Sequence, residues 1–151
     1  MKKLLFLSLL FPAASFAQCD KLLGGDPAAA AAYVADAEKA LDLKLTVDNQ
    51  PAFIQAKDAD GYAQVRIQYD MKNELKNGQP VQVNKGIKRI YIGGPWEKVE
   101  QMYNEYFLPK IKGCKTAADE TTDTWEGHKL RHVRQGQQRS MPLGFIEITR
   151  N

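Results

Sequence analysis

Apolar residues recur at three- and four-residue intervals in two segments of the chain, the spacing expected for one buried face of an α-helix. The first segment follows Asp26-Pro27, a typical helix start with a capping aspartate and an early proline, and runs to about Leu41. The second begins at Pro95 and is expected to end at Pro109. The predicted buried positions are Ala30, Tyr33, Val34, Ala37 and Leu41 in the first helix, and Trp96, Val99, Tyr103, Tyr106 and Phe107 in the second.

Between and after these helices the apolar residues alternate with polar ones, which is typical of strands that bury one face. The alternation predicts strands over 41–47, 52–56, 63–71, 81–83, 87–92, 124–134 and 143–150. Asn77-Gly78 favours a tight turn, and Gly93-Gly94 is expected to stop the strand before the second helix. These elements predict an α+β fold, with an antiparallel sheet of about five to seven strands and two helices packed on one face.

The N-terminus has the pattern of a secretory signal peptide. Lys2 and Lys3 precede the apolar run 4–11, and small residues follow up to Ser15-Phe16-Ala17. We expect cleavage after Ala17, which leaves residues 18–151 as a single exported domain in the periplasm. The apolar run is much shorter than the roughly 20 residues of a membrane-spanning helix, and no later segment approaches that length.

Two cysteines, Cys19 and Cys114, remain in the predicted mature chain. Because thiols pair in an oxidising compartment, we expect one disulfide between them. A redox-active pair is the weaker alternative, since there is no Cys-x-x-Cys motif. Gln18 precedes Cys19 and is too bulky for the residue before a lipidated cysteine, so no lipid anchor is expected.

Charge is unevenly distributed along the mature chain, although its net value is only +1 once Lys2 and Lys3 are removed. Residues 18–63 contain four basic and eight acidic side chains, whereas residues 64–151 contain fifteen basic and ten acidic ones. The small net charge does not indicate nucleic-acid binding. The second half of the chain would favour an acidic partner.

Cationic side chains occur on both faces of the strand predicted over 124–134. One interpretation is that charge protects an exposed sheet edge. The other is a contact surface, because arginine forms bidentate hydrogen bonds with carboxylates and phosphates. The candidate partner-binding residues are Trp125, His128, Arg131, His132, Arg134 and Arg139.

Catalytic and cofactor signals are weak. His128 and His132 would form a metal pair on a helix, but on a strand they lie roughly 13 Å apart, so we predict no metal site and no cofactor. The glycines before Trp96 lack the lysine and hydroxyl of a phosphate loop. Ser140 is the one serine of the mature chain and has no nucleophile motif around it. A hydrolase built from dispersed carboxylates remains an alternative to a non-enzymatic protein.

An exported domain with one disulfide and no catalytic motif is expected to act by binding. The sequence therefore predicts a periplasmic protein-binding module, an inhibitor or immunity protein that neutralises an envelope-acting toxin or hydrolase. The alternative is a carrier or sensor of a small ligand or a cell-wall fragment. A flat charged patch would favour the first function, and a concave apolar pocket the second.

Overall fold

The computed structural model describes residues 29–111, 117–118, 122–125 and 127–150. The helices are α1 (Ala29–Leu41), α2 (Trp96–Met102), a π-helical turn (Tyr103–Phe107) and α3 (Leu108–Ile111). The strands are β1 (Thr46–Gln50), β2 (Phe53–Lys57), β3 (Gln64–Lys76), β4 (Gln79–Pro95), β5 (Ala117–Ala118), β6 (Thr122–Trp125), β7 (His128–Gln138) and β8 (Met141–Arg150). Cys19, Cys114 and the predicted signal peptide lie outside the described residues.

All these strands form one antiparallel sheet in the order β1-β2-β3-β4-β8-β7-β6-β5. The α+β class and the antiparallel sheet are therefore confirmed. The described residues give eight strands against about five to seven predicted, the eighth being the two-residue β5. Two long hairpins dominate the sheet, β3–β4 and β7–β8, and the pairing of β4 with β8 joins them.

The first helix, α1, and the second helical segment, from α2 through the π-helical turn, cover the same face of the sheet, because both contribute to one core with the central strands. The buried side of α1 has the predicted residues, and they pack on alternate side chains of the central strands. On the sheet, the fully buried apolar positions are Ala56, Val65, Ile67, Ile87, Ile90, Ile92, Leu130, Ile146 and Ile148. Because every second residue of each strand faces this core, the intervening residues face away from the helices.

The strand predicted over 41–47 is wrong. Asp42 ends α1 in the left-handed region at φ 55°, and β1 begins only at Thr46 and is exposed throughout. Leu45 lies in the loop before β1, and its side chain is buried. The Glu38 carboxylate holds this loop in place, because it accepts a 2.8 Å hydrogen bond from the Leu45 N–H. The alternation in this segment therefore marks loop residues that cover the core.

Two breaks that the sequence predicts, between 83 and 87 and at Gly93-Gly94, lie inside one continuous strand. The segments 81–83 and 87–92 belong to one strand, β4, which also contains Gly93 and Gly94 and continues to Pro95. The register with β3 shifts next to Tyr69, so a bulge absorbs the change in alternation between the two predicted pieces. The turn at Asn77-Gly78 is confirmed, with both residues at positive φ, but the strands around it are longer than predicted.

The segment 124–134 is a hairpin instead of a single strand. Gly127, at φ 76°, turns the chain between β6 and β7, and Trp125 pairs with His128.

The predicted end of the second helix at Pro109 is also wrong, because Pro109 lies within α3. Proline clashes with the carbonyl four residues earlier in an α-helix, and the wider π turn before α3 accommodates it.

Candidate functional site

The sheet face that points away from the helices carries a concentration of cationic side chains. Strand register aligns two neighbouring rows across β3, β4, β8 and β7. We call these eight residues the cationic rows: Arg66, Tyr91, Glu147 and Arg131 in one, Gln68, Arg89, Thr149 and Lys129 in the other. They contain four cations and one carboxylate, a net charge of +3.

Glu147 is the buried centre of the cationic rows, with a side chain only 9% exposed. It forms ion pairs with Arg89 on one neighbouring strand and Arg131 on the other, the second at 3.2 Å. The two arginine side chains remain 48% and 45% exposed. Each guanidinium has five N–H donors, so both keep donors that face solvent. The pairing therefore fixes the arginines without consuming their capacity to bind an anion.

Aromatic rings stiffen the same face. Tyr91 and Phe145 stack with centroids 5.4 Å apart, and the Arg131 guanidinium lies 5.4 Å from the Phe145 centroid. At the β3 side, Arg66 lies 4.9 Å from the ring centroid of Phe53. Such cation–π contacts hold the guanidiniums in place while their N–H edges stay available.

A polar pocket opens within this face between β3 and β4. Its volume is about 210 Å³, and it is lined by Gln64, Arg66, Gln68, Arg89 and Tyr91, which we call the oxyanion pocket. Every lining side chain has a hydrogen-bond donor, and none is a carboxylate. Burial raises the pKa of Tyr91, and Glu147 raises it further against the opposing effect of Arg89. Its hydroxyl therefore stays protonated at neutral pH and can donate.

The structure separates the residues that the sequence grouped as partner-binding. Arg131 lies in the cationic rows, but alternation along β7 places His128, His132 and Arg134 on the helix side. Arg139 lies in the β7–β8 turn, 5.7 Å from the ring centroid of Tyr62. Trp125 contributes its backbone to β6. Of the predicted set, only Arg131 belongs to the cationic rows.

His132 has a structural environment. Its ring lies between Trp96 of α2, at a centroid distance of 4.8 Å, and Tyr103 of the π turn, at 4.1 Å. Because both rings are nearly parallel to the imidazole, the stack ties the helical segment to β7. His128 is buried on the same side, so these two histidines contribute to the covered face of the sheet.

Sequence reasoning missed Arg66, Arg89, Tyr91 and Glu147. Each looked like an ordinary polar position on the wet side of an alternating strand. The available signal was the charge inside central apolar strands, as in Val65-Arg66-Ile67 and Ile146-Glu147-Ile148. Only the register of three strand pairs brings these residues together.

A second concave region lies on the helix side, where α1 ends and α2 begins beneath the β7–β8 turn. This cleft has a volume of about 640 Å³, and its apolar lining is Leu41, Leu43, Pro95, Trp96, Met141 and Pro142. The turn above it holds Arg139 and Ser140 at positive φ, an unfavourable conformation for side chains other than glycine.

Among the described residues, no group of three potential ligands of the His, Cys, Asp or Glu type is placed to hold a metal ion. No helix in that part of the chain is both long and apolar enough to cross a membrane. Comparison with known proteins finds no matching family model, no matching curated protein and no matching solved structure.

Proposed function

We propose that this chain is an exported, periplasmic protein-binding module whose cationic rows dock on an acidic surface of a toxin or hydrolase and neutralise it. The observation that carries the proposal is the net charge of +3 on these eight neighbouring sheet positions. A carboxylate-rich partner is the complementary chemistry, because charge complementarity steers association and selects against cationic partners.

Rigidity of the face supports the same function. The arginines are held by Glu147 and by aromatic rings, so little side-chain freedom remains to be lost when a partner binds. Tyr91, which is partly exposed and stacks on the buried Phe145, adds an aromatic ring of the kind that protein interfaces favour at their centres. The proposed contact surface is therefore the sheet face, with Arg131 as the residue it shares with the sequence prediction.

The test is capture of envelope proteins on the exported chain, with two matched double variants. Lys129→Gln with Arg131→Gln removes two charges from the cationic rows, while Lys39→Gln with Arg134→Gln removes two from elsewhere. We expect one acidic toxin or hydrolase to bind the wild type and the second variant equally. It should bind the first variant at least about a hundredfold more weakly, since two charge-assisted contacts of ~1.5 kcal/mol each are lost. The activity of the captured toxin or hydrolase should fall when an equimolar amount of the wild-type chain is added.

Equal capture by both variants, or an undiminished activity of the captured protein, would contradict the proposal. Raising the salt concentration should weaken the expected complex, because the arginines are half-exposed and their charges are screened.

Export and the Cys19–Cys114 disulfide belong to the same proposal. Expression of the full chain with its N-terminus intact should yield an extracytoplasmic protein that begins at Gln18. Its intact mass should be two hydrogen atoms below that of the reduced chain. A product that starts at Met1, or a fully reduced one, would argue against export into an oxidising compartment.

The helix-side cleft of about 640 Å³ favours a second candidate function, carriage of a small ligand or a cell-wall fragment. Its volume lies within the range of small-molecule sites and its lining is largely apolar. A small molecule that co-purifies in place of a protein, and that is lost on Leu43→Glu, would favour this function over the first.

A further inference from the structure

We infer that the oxyanion pocket binds a single oxyanion group, of the carboxylate, phosphate or sulfate type. The inference deepens the proposed function. It rests on that function if the oxyanion group belongs to a protein partner. The pocket lies toward β3, and neither Arg131 nor Lys129 lines it. The two proposals can therefore fail independently.

The charge of the pocket is only partly compensated. Arg89 shares Glu147 with Arg131, whereas Arg66 forms no ion pair with any described residue, and its guanidinium lies over the Phe53 ring. Two guanidiniums therefore face one cavity, with a single carboxylate outside its lining. An oxyanion that enters between them would accept charge-assisted hydrogen bonds from both.

The neutral members of the pocket complete a donor set. Gln64 and Gln68 flank Arg66 on the same face of β3, and Tyr91 stands across from Arg66 on β4. Since the Tyr91 hydroxyl stays protonated, an anion meets amide, phenol and guanidinium donors. A volume of about 210 Å³ accommodates one such group together with several waters, each of which takes about 30 Å³ in the liquid. A cation has no carboxylate to meet there.

The experiment is titration of the exported chain with sodium phosphate, sulfate and acetate at low ionic strength, followed by amide chemical shifts and calorimetry. Arg66→Gln is the main variant, because Arg66 is exposed and its removal leaves the Glu147 ion pairs intact. We expect phosphate to bind the wild type and to bind this variant about tenfold more weakly.

Two further variants sharpen the result. Tyr91→Phe removes one hydroxyl donor and should weaken phosphate binding by about tenfold, which corresponds to the loss of one hydrogen bond to a charged group, ~1.5 kcal/mol. Arg134→Gln removes the same charge as the main variant on the helix side and should leave binding unchanged. Absence of phosphate binding, or equal binding by wild type and Arg66→Gln, would overturn the inference, even if an acidic protein still binds through Arg131 and Lys129.

Competition between phosphate and the captured protein partner shows where the bound oxyanion group comes from. If phosphate displaces the captured protein partner, then the pocket receives an acidic side chain of that partner. If phosphate binds without displacing it, the pocket serves a free small oxyanion, and the site stands separately from the protein interface. If phosphate binds and no protein partner exists, the oxyanion pocket is supported and the proposed function fails.

Discussion

Gly144→Ala is expected to destabilise the fold by about 3 kcal/mol, which lowers the Tm of a domain of this size by roughly 10 °C. A Cβ atom built at Gly144 overlaps the indole ring of Trp96 and lies 3.0 Å from the carbonyl oxygen of Val133. The Val133 oxygen belongs to the neighbouring strand and cannot move freely. Trp96 would have to leave its stack on His132, and the contact between α2 and the sheet would weaken.

Thermal and denaturant unfolding measure this effect, and Gly136→Ala is the matched control. Gly136 lies on β7 with no heavy atom within 4 Å of a built Cβ, so its replacement should change stability by less than about 1 kcal/mol. Adding Trp96→Leu to Gly144→Ala should recover part of the loss, because the smaller side chain removes the overlap. A Gly144→Ala protein as stable as wild type would refute this account of the Trp96 contact.

The parts of the fold that the sequence predicts correctly depend on long local periodicity. The apolar face of α1 and the alternation of β3 each extend over several residues, and tertiary packing only reinforces them. Elements whose ends depend on distant partners were placed wrongly. Gly93 and Gly94 look like a strand stop, yet each aligns with a residue of β8 and so remains within β4.

Gly93 and Gly94 have steric roles that cannot be recognised from the local sequence pattern. Gly93 lies beneath the Tyr91 ring, whose hydroxyl oxygen would be 2.8 Å from an added Cβ. Gly94 faces the opposite side, where Leu41 of α1 would lie 3.1 Å from an added Cβ. Adjacent positions in one strand thus leave room for an aromatic ring of the candidate site and for a helix of the core.

The candidate site could be predicted only in part for a similar reason. The sequence locates cationic groups along one strand, and Arg131 is the member of the predicted partner-binding set that faces the open side, together with Lys129. Apart from Lys129, the other residues of the cationic rows come from β3, β4 and β8, and Arg66 and Glu147 are 81 positions apart along the chain. Register between distant strands, set by packing of the covered face, determines which charges meet.

Glu147→Gln should separate the stability of the sheet face from its affinity for anions. Glutamine is nearly isosteric with glutamate but loses the charge-assisted part of the contacts with Arg89 and Arg131, so we expect a loss of about 2 kcal/mol in the free energy of unfolding. The cost stays below that of breaking a fully buried ion pair, because both arginines are about half exposed and water can solvate them.

Phosphate should bind this less stable variant about fivefold more tightly. Removing the carboxylate raises the net charge of the cationic rows from +3 to +4, and removal of one negative charge beside Arg89 is worth ~1 kcal/mol after screening. Calorimetric titration and denaturant unfolding of the same samples measure both effects. Glu100→Gln, an equal charge change at an exposed position of α2, should alter neither. Weaker phosphate binding by Glu147→Gln would mean that the carboxylate orients Arg89 for the ligand, which would contradict the electrostatic argument.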